Sequence, residues 1–274
     1  MKITSSKPLV SVIMPTYNQA QFIGMAINSI LRQTYGNFEI IIIDNYSSDD
    51  TEKKVLHYAN NDIRIRYSKF SNNGIIAASR NVGIRMAKGD LIAFLDSDDV
   101  WLPEKLEKQV RFMEENKDVF LIYSKCLIRE NDKIVGISPM IPKKGYIFND
   151  LFLSYNFIAC LTVMMRRGPY LFDEHKKLRA AEDYDLWLRI SLKEKISFVD
   201  EPLAVYVKHA GNISNDELKT LEKWKFIIER YGSSTSKMKL LRKYVSFYKK
   251  AFRIQAVHVL KNIKKDYRIK VPNI

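Results

Sequence analysis

Four consecutive isoleucines, Ile40 to Ile43, place the tightest limit on how this chain folds. A β-branched run without polar alternation is a strand covered on both faces, the condition of a parallel sheet flanked by helices. Val10-Ser-Val-Ile-Met14, ending at Pro15, and Leu91 to Leu95 are further apolar runs of strand type, and Ile63 to Tyr67 reads as another. Between these runs lie segments of helical period. The first holds Phe22, Ile23, Ala26, Ile27, Ile30 and Leu31, the second spans about Thr51 to Ala59, and the third spans about Ile75 to Ala87. Such alternation predicts βαβ units and an open, mostly parallel α/β sheet. Pro103 suits the first turn of a helix running to about Asn116. The second half is less regular. Strands are expected at Val119–Tyr123, Lys133–Ser138, Phe157–Met165, Ile196–Val199 and Leu203–Val207, with a helix from about Ala181 to Leu192.

Each early strand ends in polar residues: Thr16 and Tyr17, then Asp44 and Asn45, then Asp96-Ser-Asp-Asp99. In an open α/β sheet the carboxyl ends of parallel strands border one crevice, so these residues should meet in space. Three carboxylates at one strand end repel one another unless a cation or ordered solvent compensates, and oxygen ligands of this kind suit Mg²⁺ or Mn²⁺. The plainer reading is an acidic turn before the helix near Pro103. No Gly-x-x-x-x-Gly-Lys and no Gly-x-Gly-x-x-Gly follows the first strand, so phosphates would have to be neutralised by a cation and not by a backbone cradle. Glu182-Asp183 opens an amphipathic turn, where the helix dipole alone can explain acidic residues. His209 is a lone histidine to which a surface or structural role is equally open.

The chain has 274 residues, enough for one large α/β domain with an appendage. Cys126 and Cys160 sit in apolar surroundings and make neither a disulfide framework nor a zinc cluster, which favours a reducing compartment. Met1 to Pro8 is polar and has no signal-peptide pattern. The longest apolar stretch, Phe157 to Met165, is far short of the ~20 residues that span a bilayer. The expected location is therefore cytoplasmic, at most peripheral on the cytoplasmic face of a membrane.

Several fragments in fixed order carry a more specific message. They are Val10-Ser-Val-Ile-Met-Pro-Thr-Tyr-Asn18, Ser29-Ile-Leu-Arg-Gln-Thr34 and Glu39-Ile-Ile-Ile-Ile-Asp44, then Asn73-Gly74 with Ser79-Arg-Asn81. Gly89-Asp-Leu-Ile-Ala-Phe-Leu-Asp-Ser-Asp-Asp99 and Glu182-Asp183 complete the set. From about Pro8 to Ser214 the chain resembles the family 2 glycosyltransferases of GT-A fold. The resemblance implies an inverting transfer of a sugar from a nucleotide-diphosphate donor to a hydroxyl acceptor, in surface polysaccharide or glycolipid synthesis. It implies a UDP-sugar donor, with a dTDP-sugar as the alternative, a lipid-linked or glycan acceptor, and a divalent cation, Mn²⁺ or Mg²⁺. By the same resemblance Tyr17 and Asp44 belong to the base-binding end of the donor site, Thr16, Asp96 and Arg80 to the donor site more broadly, Asp98 to the cation, and Asp183 is the general base. His209 stands in the place from which it could approach the cation or the diphosphate. Two departures stand out: Asp44-Asn-Tyr-Ser47 replaces an Asp-Asp-Gly-Ser pattern, and Val207 and Lys208 follow Tyr206 where an arginine is usual.

The expected organisation is a catalytic domain over 1–215, with a donor-binding half at about 8–100 and an acceptor half at about 101–215, and a basic helical extension over 216–274. That extension holds 16 Lys/Arg against 5 Asp/Glu, so it carries most of the formal charge of +14. Lys239, Arg242, Lys243, Lys250, Arg253, Lys261, Lys264 and Arg268 project to one side of a helix, with Leu241, Tyr244, Val245, Tyr248, Phe252 and Val259 largely off it. Two amphipathic helices, broken near Gly232, would pack on the catalytic domain or on a second subunit, or meet an anionic membrane surface. No nucleic-acid motif accompanies the charge, and no nucleic-acid partner is expected. Two other functions fit parts of the pattern. An inert GT-A-like scaffold would leave Asp44, Asp96, Asp98 and Asp183 without purpose, and a nucleotidyltransferase would be expected to show a glycine-rich loop near the first strand.

Overall fold

The computed structural model describes residues 7–212 and 217–249. The expectations placed on Met1 to Ser6, Lys250, Phe252, Arg253, Val259, Lys261, Lys264 and Arg268 lie outside the described residues. The chain divides into two compact units, 1–211 and 212–274.

In the first unit the elements run β1 (Val10–Thr16), α1 (Ile23–Leu31), β2 (Phe38–Asp44), α2 (Thr51–Asn61), β3 (Ile65–Lys69), α3 (Ile76–Met86), β4 (Leu91–Phe94) and β5 (Val100–Trp101). They continue with α4 (Lys105–Glu115), β6 (Val119–Glu130), β7 (Lys133–Ile137), α5 (Phe148–Leu153), β8 (Met164–Arg166), α6 (Glu182–Ser191) and β9 (Lys195–Lys208). The described strands form one sheet in the order β3-β2-β1-β4-β8-β6-β9-β5, with β7 paired to β6. Strands β1 to β4 are parallel, β8 is antiparallel to both neighbours, and β9 runs parallel to β6. Ile40 to Ile43 are all fully buried, as a strand covered on both faces requires.

Pro15 closes the β1–β4 ladder. The Val10 N–H points toward β2, bonding Asn37 O, whereas the Ile13 carbonyl faces β4 and accepts from Leu95. Alternation turns the Pro15 nitrogen to the β4 side, where it has no N–H to return to the Leu95 carbonyl, and β4 ends at Phe94. Gly83 allows α3 to lie close on the sheet, since a Cβ there would stand 2.5 Å from the Ile13 Cγ2.

Three expectations are corrected. The stretch Phe157–Met165 is a strand only from Met164, because side chains take its backbone groups. Trp187 Nε1 donates to Ile158 O, Trp101 Nε1 to Leu161 O and Gln109 Nε2 to Thr162 O, while Thr162 Oγ1 closes a 3₁₀ turn on Ala159 O. The two strands expected around Ile196 and Leu203 are one, β9, whose pairing with β6 slips on either side of Lys125. That irregularity absorbs Asp200-Glu201, and Lys125 Nζ meets Asp200 at 2.6 Å. The β3 strand starts later than Ile63, because Asp62 accepts the Arg64 N–H and closes a turn that leaves Ile63 exposed.

The second unit contains α7 (Glu217–Tyr231), a 3₁₀ turn at Gly232–Ser234 and a helix, α8, over 237–249. Leu221 and Ile228 of α7 and Phe247 of α8 form a small buried cluster, with Trp224, Leu240 and Tyr244 packed against it.

Candidate active site

Thr16 and Asp44 end β1 and β2 and lie opposite each other in register. Asp44 is fully buried. Its Oδ1 accepts from Ser47 N and Oγ at 2.9 and 2.7 Å, and its Oδ2 from the Tyr67 hydroxyl at 2.6 Å. Burial and then this carboxylate push the Tyr67 hydroxyl far above its ordinary range, so Tyr67 stays a donor. The Thr16 Oγ1 is buried and has no partner among the described residues. Tyr17, just beyond β1, is more than half exposed. Tyr46, in the place of a glycine, has φ 56°, a left-handed conformation that explains why glycine suits that position, and its ring lies beneath Lys69 Nζ at 5.9 Å.

The acidic turn after β4 divides into three separate tasks. Asp96 accepts from Arg80 Nη2 at 2.8 and 3.1 Å. Asp98 meets His209 Nε2 at 3.0 Å. Asp99, almost fully buried, accepts the Val207 N–H at 2.9 Å and so fastens the end of β9 beneath the turn. Of the three, Asp99 is bound to the backbone of a distant strand, and Asp96 and Asp98 to side chains. Burial, followed by repulsion from Asp98 and Asp96, raises the Asp99 carboxyl well above the usual range. Asp98 is also raised, by burial and then by Asp96, with the His209 bond pulling the other way. His209 is stacked on Phe22 at 4.6 Å, and its Nδ1 accepts from Gly211 N at 3.2 Å. That acceptor role assigns the proton of a neutral ring to Nε2, pointing at Asp98. Among the described residues no three His, Cys, Asp or Glu side chains gather as a complete metal shell.

Arg80 is the connection between the two halves of the crevice. It projects from α3, is buried, and donates through Nη1 to Glu182 Oε1 at 2.7 Å as well as to Asp96. Burial alone would depress its guanidinium, but Asp96 and Glu182 hold it well above its ordinary value. Its Nη1 and Nη2 donors are thus directed at protein carboxylates, while the buried Nε has no partner among the described residues. Asn81 beside it bonds Phe172 O and N and Glu174, tying α3 to the segment before α6.

Asp183 lies in the first turn of α6, a helix locked in place by its own side chains. Tyr184 donates to Leu151 O, Trp187 to Ile158 O, and buried Asp185 pairs with Arg189, which also reaches Leu171 O. Partly buried, Asp183 accepts from Asn156 Nδ2 at 3.1 Å and from Tyr184 N at 2.7 Å. Its carboxyl is pushed up to about 6, by burial first and by Glu182 second, against the opposing pull of Arg80 and the two hydrogen bonds. Asn156 was not legible as a site residue, since the irregular stretch that carries it offers no periodicity. Cys160 is close enough to Arg80, Asp96 and Asp183 to feel their charges, and burial keeps its thiol neutral. Both cysteines are free and buried. Beside Glu182 a cavity of about 300 Å³ opens between Asn73-Gly74 and the segment that carries Asp173 and Arg179.

With this geometry in place the comparisons are decisive. Residues 11–170, more than half of the chain, match the description Glycosyl transferase family 2. The chain belongs to that family. It is similar to the Escherichia coli UDP-Glc:alpha-D-GlcNAc-diphosphoundecaprenol beta-1,3-glucosyltransferase WfgD, 36% identical over 220 residues that cover 78% of this chain and 83% of the relative. The putative teichuronic acid biosynthesis glycosyltransferase TuaG of Bacillus subtilis is 33% identical over 226 residues, covering 82% and 89%. Among solved structures, Staphylococcus aureus TarS 1–349 in complex with UDP-GlcNAc superposes with a TM-score of 0.68 at 21% identity, over 89% of this chain and 72% of that one. The mannosyltransferase PcManGT of Pyrobaculum calidifontis, in complex with GDP-Man and Mn²⁺, gives a TM-score of 0.59 at 17% identity, covering 97% and 83%. The fold of this family 2 glycosyltransferase is GT-A.

Proposed function

We propose that the chain catalyses an inverting sugar transfer from a UDP-sugar to a hydroxyl of a lipid-linked acceptor, with Asp183 as general base. The observation that carries this reading is the Arg80 bridge. One buried side chain joins Asp96, at the end of a donor-side strand, to Glu182, the neighbour of Asp183.

The orphaned Thr16 hydroxyl and exposed Tyr17 suit the nucleoside, and Asp44 would accept the imide N–H of uracil once the Ser47 and Tyr67 side chains that cover it give way. A thymidine donor offers the same edge. The uridine reading is supported by the donor in the name of WfgD and by the UDP-GlcNAc in the TarS complex. The acceptor reading rests on the diphosphoundecaprenol in the former name.

Asp98 fits a divalent cation, whose shell the donor phosphates would help complete, while His209, with its Nε2 proton directed at Asp98, would orient that carboxylate and not ligate the ion. When bound, Mn²⁺ or Mg²⁺ neutralises charge on the departing diphosphate. Asp183 takes the proton from the attacking acceptor hydroxyl, a task suited to a carboxyl raised to about 6. Asn156 and the Tyr184 N–H fix the direction of its oxygens. Glu182, its buried neighbour, is held by Arg80.

Calorimetry with UDP, dTDP and GDP, with and without Mn²⁺, tests the donor assignment. UDP should bind in a Mn²⁺-dependent manner, and Asp98→Ala should abolish the metal effect. Binding of GDP alone, or of none of the three, overturns the assignment.

A further inference from the structure

We infer that the outward face of α8 is a docking surface for an anionic lipid bilayer. This helix carries apolar side chains in two directions. Leu240, Tyr244 and Phe247 turn toward Leu221, Trp224 and Ile228 of α7. Met238, Leu241, Val245 and Tyr248 point elsewhere and are 63%, 60%, 48% and 60% exposed. At about 100° per residue these four fall within an arc of roughly 80°, a continuous stripe and not scattered surface residues. The sequence pattern alone merges the two directions into one apolar side. Only the packing separates a face used inside the unit from one that is not.

Charge selects the occupant. Residues 237–249 contain Lys237, Lys239, Arg242, Lys243 and Lys249 and no acidic residue. In the same projection Arg242 and Lys249 border the stripe on one edge and Lys237 on the other. An apolar stripe rimmed by cations suits a helix lying in the headgroup layer, its apolar face at the acyl boundary and its cations among lipid phosphates. A second copy of the chain would bring the same cations against these. A nucleic acid would use the cations and leave the stripe wet. No described helix is long and apolar enough to cross a membrane.

The test is co-sedimentation of the full chain with large vesicles of phosphatidylcholine, alone and mixed with phosphatidylglycerol. The chain should pellet with the mixed vesicles, only weakly with the neutral ones, and less as salt rises. Leu241→Gln with Tyr248→Gln, and separately Arg242→Glu with Lys249→Glu, should each weaken that binding about tenfold or more. Both pairs should keep the helical circular dichroism and the affinity for UDP, so the readout is independent of the donor assignment. Three results overturn the inference: no binding to mixed vesicles, equal binding by wild type and both variants, or a wild-type dimer that the Leu241/Tyr248 pair dissociates. The last would mean that a second copy covers the stripe.

Discussion

Lys105 is a fully buried cation in the catalytic unit, and replacing it should stabilise the protein at and below neutral pH. It opens α4 with no solvent exposure, against the Trp101 ring at 4.1 Å, and its Nζ reaches only Gln109 Oε1, at 2.5 Å, among the contacts described. Burial lowers its ammonium from 10.5 to about 7. At about 1.4 kcal/mol per pH unit this corresponds to a penalty of about 5 kcal/mol, from which the aromatic face returns roughly 1–2. Below the folded value both folded and unfolded chains hold the proton, and the full penalty applies. Between about 7 and 10.5 only the unfolded chain holds it, so stability rises with pH and the penalty fades. Lys105→Met keeps the apolar stem but leaves Gln109 Oε1 unpaired, at a cost of about 1–3 kcal/mol. Urea unfolding should therefore find the variant more stable than wild type by about 2 kcal/mol near pH 6. On moving to about pH 9.5 wild type should regain about 3 kcal/mol, so the difference should reverse and leave the variant about 1 kcal/mol the less stable. A gap that is the same at both pH values would refute the reasoning.

Arg80→Gln should lower stability by about 3 kcal/mol or more, since Glu182 and Asp96 lose their buried partner. It should also move the acid limb of the kcat profile upward, because Arg80, with the Tyr184 and Asn156 hydrogen bonds, draws the Asp183 carboxyl down. Arg80→Lys should restore much of that limb, and an unmoved limb in the Gln variant would exclude an electrostatic role. Gly83→Ala should lose about 1–2 kcal/mol by thermal unfolding in spite of its better helix propensity, because the new methyl meets fully buried Ile13 at 2.5 Å. An unchanged or raised Tm would show that α3 can withdraw from the sheet.

The strand-helix alternation from Val10 to Leu95 was legible because β1, β2 and β4 are buried throughout, whereas the edge strand β3 is half-exposed and its start was read too early. The polar strand ends share one edge of the sheet for a topological reason, since β1, β2 and β4 run parallel. What lay hidden depended on side chains reaching across the chain. Phe157–Met165 is as apolar as a strand, but Trp101, Gln109 and Trp187 compete for its carbonyls. Asp99 looks identical to Asp98 in sequence, and only the Val207 N–H assigns it to the scaffold. Arg80 and Glu182 are separated by 102 positions, and nothing local in either segment announces the bridge.

The most direct test of the proposed chemistry is the kcat pH profile of wild type and Asp183→Asn with UDP-glucose and a lipid-diphosphate acceptor. The wild-type profile should fall below about pH 6 with a slope of one proton. The variant should lose about 10²–10⁴-fold in kcat across the range while binding UDP as wild type does. Turnover near the wild-type rate in the variant, or a wild-type profile flat through pH 6, would contradict Asp183 as the base.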